Sequence, residues 1–403
     1  MEWSLMLHRA PKRVNHAAVV VDDCIYSFGG YVSNHDFSDR TIPIEIFVLN
    51  TRTYKWQTLI VDSKNAPYRR YGHTVVAHGR NVYLWGGRND EYCDGILYCF
   101  DTVSRSWSQP KVSGIVPLAS DGHAACIHKD TMYIHGGYIE QISQFTLSLH
   151  ALNLCTLVWT EMPLKGQYPL FRDFHTMCCD GDGNLLVYGG REMPNSVYGG
   201  PDKETYPNNL HIYMVEKQLW RAVSYANTDH TPSGRRSHSS FFYKDKLFVF
   251  AGFNSQTAMH MNDIFSFDMR TSSWVCHSHP DVRPSPRRRQ AMCRMGSLVY
   301  MFGGTHPDTS NPNNTDSEPY DSEDEEKESL EELEDLWILD LEPRLETLAL
   351  LKVVRSHLPL TGLPVLLQKR AYTVPIKDHR YETPVKPCRW KLIKKFIFFF
   401  DFD

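Results

Sequence analysis

The chain has 403 residues, of which 43 are lysine or arginine and 47 are aspartate or glutamate, so its formal net charge is −4. This balance gives no general attraction to nucleic acid or to an anionic membrane surface. The N-terminal sequence MEWSLMLHRA lacks the apolar run of a secretory signal, and no segment reaches the ~18 apolar residues of a membrane span.

A diglycine motif after an apolar run recurs along the chain. Five copies read SFGG, LWGG, IHGG, VYGG and MFGG, ending at Gly30, Gly87, Gly137, Gly190 and Gly304, and a variant, VFAG, ends at Gly252. Their spacing of roughly 50–60 residues is that of a four-stranded propeller blade. Strands ending in Trp close five of the units, at Trp56, Trp107, Trp159, Trp220 and Trp274. A histidine opens five of them, at His16, His73, His123, His175 and His238.

The sixth unit is incomplete. Its third strand, at residues 335–340, is followed by Glu342-Pro343 and has no strand ending in Trp. Trp3 at the other end of the chain supplies the missing residue, so residues 2–8 are predicted to form the outer strand of blade six. These repeats resemble those of kelch proteins, which implies an all-β, six-bladed propeller over residues 1–343.

Two loop positions in each unit are predicted to meet at one mouth of the propeller. One is the triplet before the opening histidine, which reads Arg13-Val14-Asn15, Arg70-Tyr71-Gly72, Ser120-Asp121-Gly122, Arg172-Asp173-Phe174, Arg235-Arg236-Ser237 and Arg287-Arg288-Arg289. The other is the residue after the diglycine, which is Tyr31, Arg88, Tyr138, Arg191, Phe253 or Thr305. The leading arginine recurs and is interpreted as structural. The predicted binding residues are Arg88, Arg191, Arg236, Ser237, Arg288, Arg289, Tyr71, Tyr138 and Phe253.

A basic mouth with aromatic walls suits a planar anion. Guanidinium groups bind carboxylates through charge-assisted hydrogen bonds of ~1.5–3 kcal/mol each. A peptide with a terminal carboxylate is therefore the expected ligand. The alternative is an ordinary charged rim in which these arginines pair with Asp121 and Asp173, which would favour a generic scaffold.

The sequence carries no catalytic motif. GxSxG, HExxH and P-loop patterns are absent, and one histidine at the same place in each unit indicates a structural position. Ten cysteines without CxxC pairs favour a reduced protein of the cytoplasm, with the nucleus left open as a second location. We therefore expect a non-enzymatic protein that binds neither a cofactor nor a metal.

The chain departs from the propeller pattern in three segments. Residues 306–334 form an acidic insert that is predicted to be disordered, and a solvated insertion is favoured over a flap covering the mouth. Residues 344–371 contain apolar residues at helical spacing, which either pack under the propeller or dock to a partner. The basic tail, residues 372–403, is expected to be poorly ordered.

Several units closely resemble the kelch-repeat substrate receptors of cullin-2 RING ubiquitin ligases. The matching segments include RRYGHTVV, DGHAACIHKDTMYIHGGY, GRRSHSSFFYKDKLFVFAGFN and PRRRQAMC. The resemblance implies a subunit that binds C-terminal degrons ending in glycine. It also implies an elongin B/C-binding box at Leu345, Leu348, Ala349 and Val353, and a cullin-2-binding box at Leu363, Pro364 and Leu367. Ala349 stands where the elongin box usually has cysteine.

The same resemblance bears on the carboxylate clamp. In a diglycine-reading receptor of this family, an arginine that matches Arg191 holds the degron carboxylate. The second arginine of that receptor is Ser196 here, and one of its serines aligns with Arg236. The resemblance therefore implies a clamp rebuilt from Arg191, Arg236 and Arg288. A second function stays open, that of a chromatin or cytoskeletal scaffold, including one in meiotic recombination, that contacts histone tails or nucleic acid.

Overall fold

The computed structural model describes residues 1–355 except residues 34, 36, 193–203, 229, 278–281 and 309–329. The cullin-binding residues Leu363, Pro364 and Leu367, the tail and Ser196 lie outside the described residues. Within the described ranges, no helix has the length and apolar character of a membrane span.

Six antiparallel four-stranded sheets form the blades of a propeller, as the repeats predicted. Blades one to three comprise Ala17–Val21, Cys24–Phe28, Ile46–Asn50 and Lys55–Thr58; Thr74–His78, Asn81–Trp85, Tyr98–Asp101 and Ser106–Ser108; and Ala124–His128, Thr131–His135, Leu149–Asn153 and Val158–Glu161. Blades four to six comprise Thr176–Cys179, Asn184–Tyr188, Leu210–Met214 and Leu219–Ala222; Ser239–Tyr243, Lys246–Asn254, Met259–Asp268 and Ser273–Cys276; and Ala291–Met295, Leu298–Phe302, Leu336–Asp340 and Glu2–Leu5. Blade three gains a fifth, parallel strand, Ser113–Gly114.

The first strands of neighbouring blades contact one another around the ring, and blade six returns to blade one. The hydrophobic core therefore lies between adjacent blades. Four of the repeated tryptophans are buried in these interfaces, at Trp107, Trp159, Trp220 and Trp274. The close approach requires glycine: a Cβ on Gly303, whose φ is +68°, would lie 2.6 Å from the Arg13 carbonyl oxygen of blade one.

The N-terminal strand closes the ring, which confirms the prediction made from Trp3, although the strand ends at Leu5 and does not extend to residue 8. Glu2–Leu5 pairs antiparallel with Leu336–Asp340, and Trp3 lies opposite Leu339. The Trp3 ring is buried, with its centroid 5.1 Å from that of Phe250 in blade five. The two ends of the propeller are thus held together by a shared sheet and an aromatic contact, and no blade edge opens between the first and last repeats.

The ends of the predicted insert are ordered, which corrects the expectation of disorder across 306–334. Thr305–Pro307 pairs with Leu330–Glu332 as a short antiparallel hairpin, and the Leu333 amide donates to the Gly304 carbonyl. The backbone hydrogen bonds of this hairpin order both ends of the insert, although its acidic and polar composition predicts disorder. Residues 309–329, where the acidic residues are densest, lie outside the described residues.

Two of the repeated histidines, His123 and His238, bond to a threonine of the preceding blade. His123 Nε2 lies 2.8 Å from Thr74 Oγ1 of the preceding blade, and His238 Nε2 lies 2.9 Å from Thr176 Oγ1. Blade six has glutamine at this position, and Gln290 Nε2 donates to Ser239 Oγ at 3.0 Å. The position therefore serves as a blade-to-blade connection that a neutral side chain also provides.

Burial makes these histidines a source of acid sensitivity. It lowers the pKa of His16 to about 3 and that of His123 to about 4. An unfolded histidine titrates near 6.5, so below that pH protons bind the unfolded chain preferentially and the free energy of unfolding falls. We expect His16→Gln, which copies Gln290, to remove ~1.4 kcal/mol per pH unit from that slope. Urea unfolding at several pH values tests this, and an unchanged slope would contradict it.

Candidate functional site

The two predicted sets of mouth residues lie side by side in every blade. The middle residue of each triplet and the residue after the diglycine form an antiparallel bridge: Val14 with Tyr31, Tyr71 with Arg88, Asp121 with Tyr138, Asp173 with Arg191, Arg236 with Phe253, and Arg288 with Thr305. The structure thus brings the predicted binding residues together as six short ladders, one for each blade. All nine predicted binding residues belong to this arrangement or adjoin it.

The third residue of each triplet forms a ring around the propeller axis. Its amide donates to the carbonyl of the corresponding residue in a neighbouring blade, through Asn15, Gly72, Gly122, Phe174, Ser237 and Arg289, at 2.7–3.1 Å. All six have positive φ, from 49° at Phe174 to 69° at Gly72. The same residues line a cavity of about 120 Å³ together with the repeated histidines. Ser237 and Arg289 therefore lie directly on the axial opening.

The leading arginines are structural, as their recurrence predicted. Arg70, Arg172, Arg235 and Arg287 are fully buried, and Arg13 nearly so. Each is paired with a carboxylate of its own blade, namely Glu45, Asp94, Glu192, Asp263 or Asp335. Four of them also donate to the carbonyl of the first residue of the diglycine position, at Gly86, Gly189, Ala251 and Gly303. Blade three has Ser120 instead.

Arg191 is engaged by acidic neighbours, as in the charged-rim alternative. Its Nη2 lies 2.6 Å from Asp173 Oδ2, and its Nη1 lies 3.0 Å from Glu204 Oε1. Burial raises the pKa of Asp173, and the charge of Arg191 opposes that rise. Arg191 is thus neutralised within the protein, which weighs against the leading place that the resemblance gave it in a carboxylate clamp. Glu204 stands on the long connection of blade four, and no repeat pattern pointed to it.

Carboxylates also lie at the mouth on blades two and three, and together with Asp173 and Glu204 of blade four they form its acidic half. Arg88 Nη2 lies 3.1 Å from Glu140 Oε1, so this guanidinium is also paired. Burial, together with the charge of Asp173, raises the pKa of Asp121 to about 7. The mouth is therefore not uniformly basic, because its arginines on blades two and four face carboxylates.

The aromatic wall lies on blades one to three. Tyr31, Phe37 and Tyr71 form one cluster with ring centroids 5.1–6.0 Å apart. Tyr138 packs against Phe145 at 5.1 Å. Phe37 was not predicted, because it lies in a variable loop where the repeat gives no alignment. These rings supply apolar contact area beside the charged residues.

Blades five and six form a basic half. Arg236 and Arg288 are 3% and 7% exposed, and their Cζ atoms lie 5.6 and 4.1 Å from the centroid of Phe253. The His260 ring also packs against Phe253, with the two ring centroids 4.5 Å apart. Burial, and next the charges of Arg288 and Arg289, lower the pKa of His260 to about 3. Three guanidinium groups from blades five and six thus place positive charge around His260, and two of them lie over the Phe253 ring.

The predicted elongin-binding box begins as an α-helix, α1, at Leu345–Arg355, directly after the last strand of blade six. Leu345 is 81% and Leu348 36% exposed, and Ala349 is also exposed. Val353 is half-buried, whereas Leu350 is buried. Among the helix residues whose side chains are described, Leu350 packs against the protein, and three of the four predicted elongin-binding residues are exposed.

Among the residues that the structure describes, no group of three or more His, Cys, Asp or Glu side chains is arranged to hold a metal ion. The chemistry available at the mouth is that of guanidinium, carboxylate and aromatic groups around a narrow axial opening.

Comparison with known proteins identifies the family of these repeats. The family model described as the KLHDC2/KLHL20/DRC7 Kelch-repeats domain matches residues 15–196, 72–304 and 148–344. The chain belongs to the kelch-repeat family. Kelch domain-containing protein 3 of Bos taurus is 36% identical over 90% of this chain and 93% of its own length, and that of Homo sapiens is equally similar. Kelch domain-containing protein 10 of Homo sapiens is 26% identical over 74% of this chain and 67% of its own.

Proposed function

We propose that this kelch propeller is the substrate-recognition subunit of a cullin-2 RING E3 ubiquitin ligase, acting in the cytoplasm, with the nucleus left open as a second location. Its mouth binds C-terminal degrons that end in glycine and delivers their proteins for ubiquitination and proteasomal degradation. The chain itself performs no chemistry, because ubiquitin transfer belongs to other subunits of the complex. Elongin B/C and cullin-2 with its RING protein are the partners of residues 344–371.

The observation that carries the recognition half is the convergence of three arginines on blades five and six. Arg236 and Arg288 lie over Phe253, Arg289 lines the axial opening, and the charges of all three act on His260. A carboxylate entering this positive region gains charge-assisted hydrogen bonds, and the low local dielectric strengthens them. Glycine as the last residue suits the narrow opening, because it has no side chain that would keep the carboxylate from Arg289 at the opening. The clamp therefore belongs to blades five and six, with Arg191 as part of its rim.

The uneven charge of the mouth also orients the peptide. The carboxylates of Asp173 and Glu204 lie on blade four, opposite in sign to the arginines of blades five and six. A chain-ending carboxylate is attracted to Arg288 and Arg289 more than to blade four, where Asp173 and Glu204 already engage Arg191 and are also near the charge of Arg236. A nucleic-acid backbone, which carries a charge on every residue, gains less from such a divided surface. This arrangement favours a peptide terminus over the chromatin or nucleic-acid ligand of the scaffold alternative.

The recognition half is tested with Arg289→Gln, which keeps the size and the ring amide of the residue but removes its charge. We expect the affinity for a glycine-ended peptide to fall about 10–100-fold, because one or two charge-assisted bonds are lost. Fluorescence polarisation with a labelled peptide measures this. Arg270→Gln, at an exposed arginine on the far end of blade five, is the matched control. Equal affinities of Arg289→Gln and Arg270→Gln for the peptide would contradict the proposed clamp.

A further inference from the structure

Blade three lacks the buried ion pair that stabilises the other five blades. The leading arginine of the triplet is Ser120 here. In blades one, five and six, the carboxylate that pairs with this arginine lies opposite the first residue of the diglycine position. In blade three Ser148 takes that place, and its carbonyl accepts a hydrogen bond from the Gly136 amide. Both halves of the pair are therefore replaced by serine, a coherent double change that leaves no charge unpaired.

A cavity of about 260 Å³ lies at this place in blade three. Its polar lining consists of Ser120, Gly136, Thr146, Ser148, His150 and Glu161. The cavity follows directly from the sequence change, because an arginine side chain fills the equivalent volume beneath the diglycine in five blades. It opens beside Leu118, which is itself exposed, so the space is reachable from the surface.

The residues that line the cavity offer the hydrogen-bond acceptors that a guanidinium group requires. Gly136 corresponds to Gly86, Gly189, Ala251 and Gly303, whose carbonyls accept from the buried arginines of their blades. Three hydroxyl groups offer further acceptors in a small space. Glu161 is the acidic residue in the described lining and lies on the exposed side of the outer strand. Burial lowers the pKa of His150, so this histidine adds no competing positive charge at neutral pH.

We propose that this cavity, the blade-three pocket, binds the guanidinium group of an arginine side chain supplied by a partner protein. The partner residue takes the place that the protein's own arginine takes in the other blades, donating to Gly136 and pairing with Glu161. This second site lies in blade three, apart from the basic half on blades five and six, and it does not depend on the ligase function proposed above.

Methyl NMR of the full chain, titrated with ethylguanidinium, tests the pocket. Methyl groups of Val116, Leu118, Ile134 and Ile139 line the cavity and report on its occupation. We expect saturable shifts confined to these methyls. Ethylammonium, which has the same charge but no planar fork of donors, is expected to bind about tenfold more weakly.

Two variants connect the shifts to the pocket. Ser120→Arg combined with Ser148→Asp restores the ion pair of the other blades and fills the cavity, so the ethylguanidinium shifts should disappear. Glu161→Gln keeps the cavity and removes its charge, so the affinity should fall about tenfold. Shifts that persist unchanged in both variants, shifts spread evenly over the protein, or no saturable shift in the unaltered protein would each overturn the proposal.

Discussion

Replacing Asp335 with alanine is expected to destabilise the propeller by about 3–5 kcal/mol, because it leaves a charge buried and unpaired. Arg287 is fully buried, and both of its terminal nitrogens lie 2.7 Å from the oxygens of Asp335. Asp335 also accepts from Trp337 Nε1 at 2.6 Å. Burial alone would raise the pKa of Asp335, but the hydrogen bond and charge of Arg287 lower it. Urea unfolding of the two proteins gives the difference directly.

The double variant Arg287→Ser with Asp335→Ser is the matched control for this loss. It reproduces in blade six the serines that blade three carries at Ser120 and Ser148. Since no unpaired charge stays buried, we expect the double variant to lose less stability than Asp335→Ala alone, despite the larger volume removed. A double variant that is less stable than the single one would show that packing, and not charge pairing, dominates at this position.

Replacing Leu345 with aspartate is expected to abolish the capture of elongin C by the protein, if α1 is the adaptor-binding helix proposed above. Leu345 is 81% exposed, so an apolar contact with a partner would be its main source of burial. A charged carboxylate in an apolar groove loses its hydration without a compensating partner. We expect no retained elongin C in a pull-down with purified components.

Because Leu345 is exposed, its matched control is the same substitution at another exposed apolar residue. Ile60 is 94% exposed on blade one, so Ile60→Asp makes the same kind of change at a surface with no proposed partner. Both variants are expected to keep the melting temperature of the unaltered protein and its affinity for a glycine-ended peptide. Capture of elongin C by Leu345→Asp at the level of Ile60→Asp would refute the assignment of α1.

The repeat made the fold predictable because its residues meet backbone requirements that few others satisfy. Glycines such as Gly303 lie at positive φ and against the next blade, so the diglycine marks the same place in every unit. The missing tryptophan of the last unit and the presence of Trp3 were enough to predict closure of the ring. The ordered ends of the acidic insert were missed, because their hairpin depends on pairing across a gap in the chain and not on local composition.

The site was only partly predictable. Alignment of the repeats correctly placed pairs such as Arg236 and Phe253 side by side. It did not show that Arg191 is held by Glu204, because Glu204 lies in a connection of irregular length with no counterpart in other blades. His260 was missed for a related reason. It lies in a strand, where the repeat pattern indicates a structural role, and its position beside three arginines follows from the packing of blades five and six.

The proposed recognition of a chain end is tested most directly by two glycine-ended peptides of identical sequence, one with a free carboxylate and one amidated. Calorimetric titration of the unaltered protein with each gives both affinities at the same salt concentration. We expect the amide to bind about 10–100-fold more weakly, because it cannot accept charge-assisted bonds from the guanidinium groups around Phe253. Equal affinity for the two peptides would contradict a carboxylate-binding mouth.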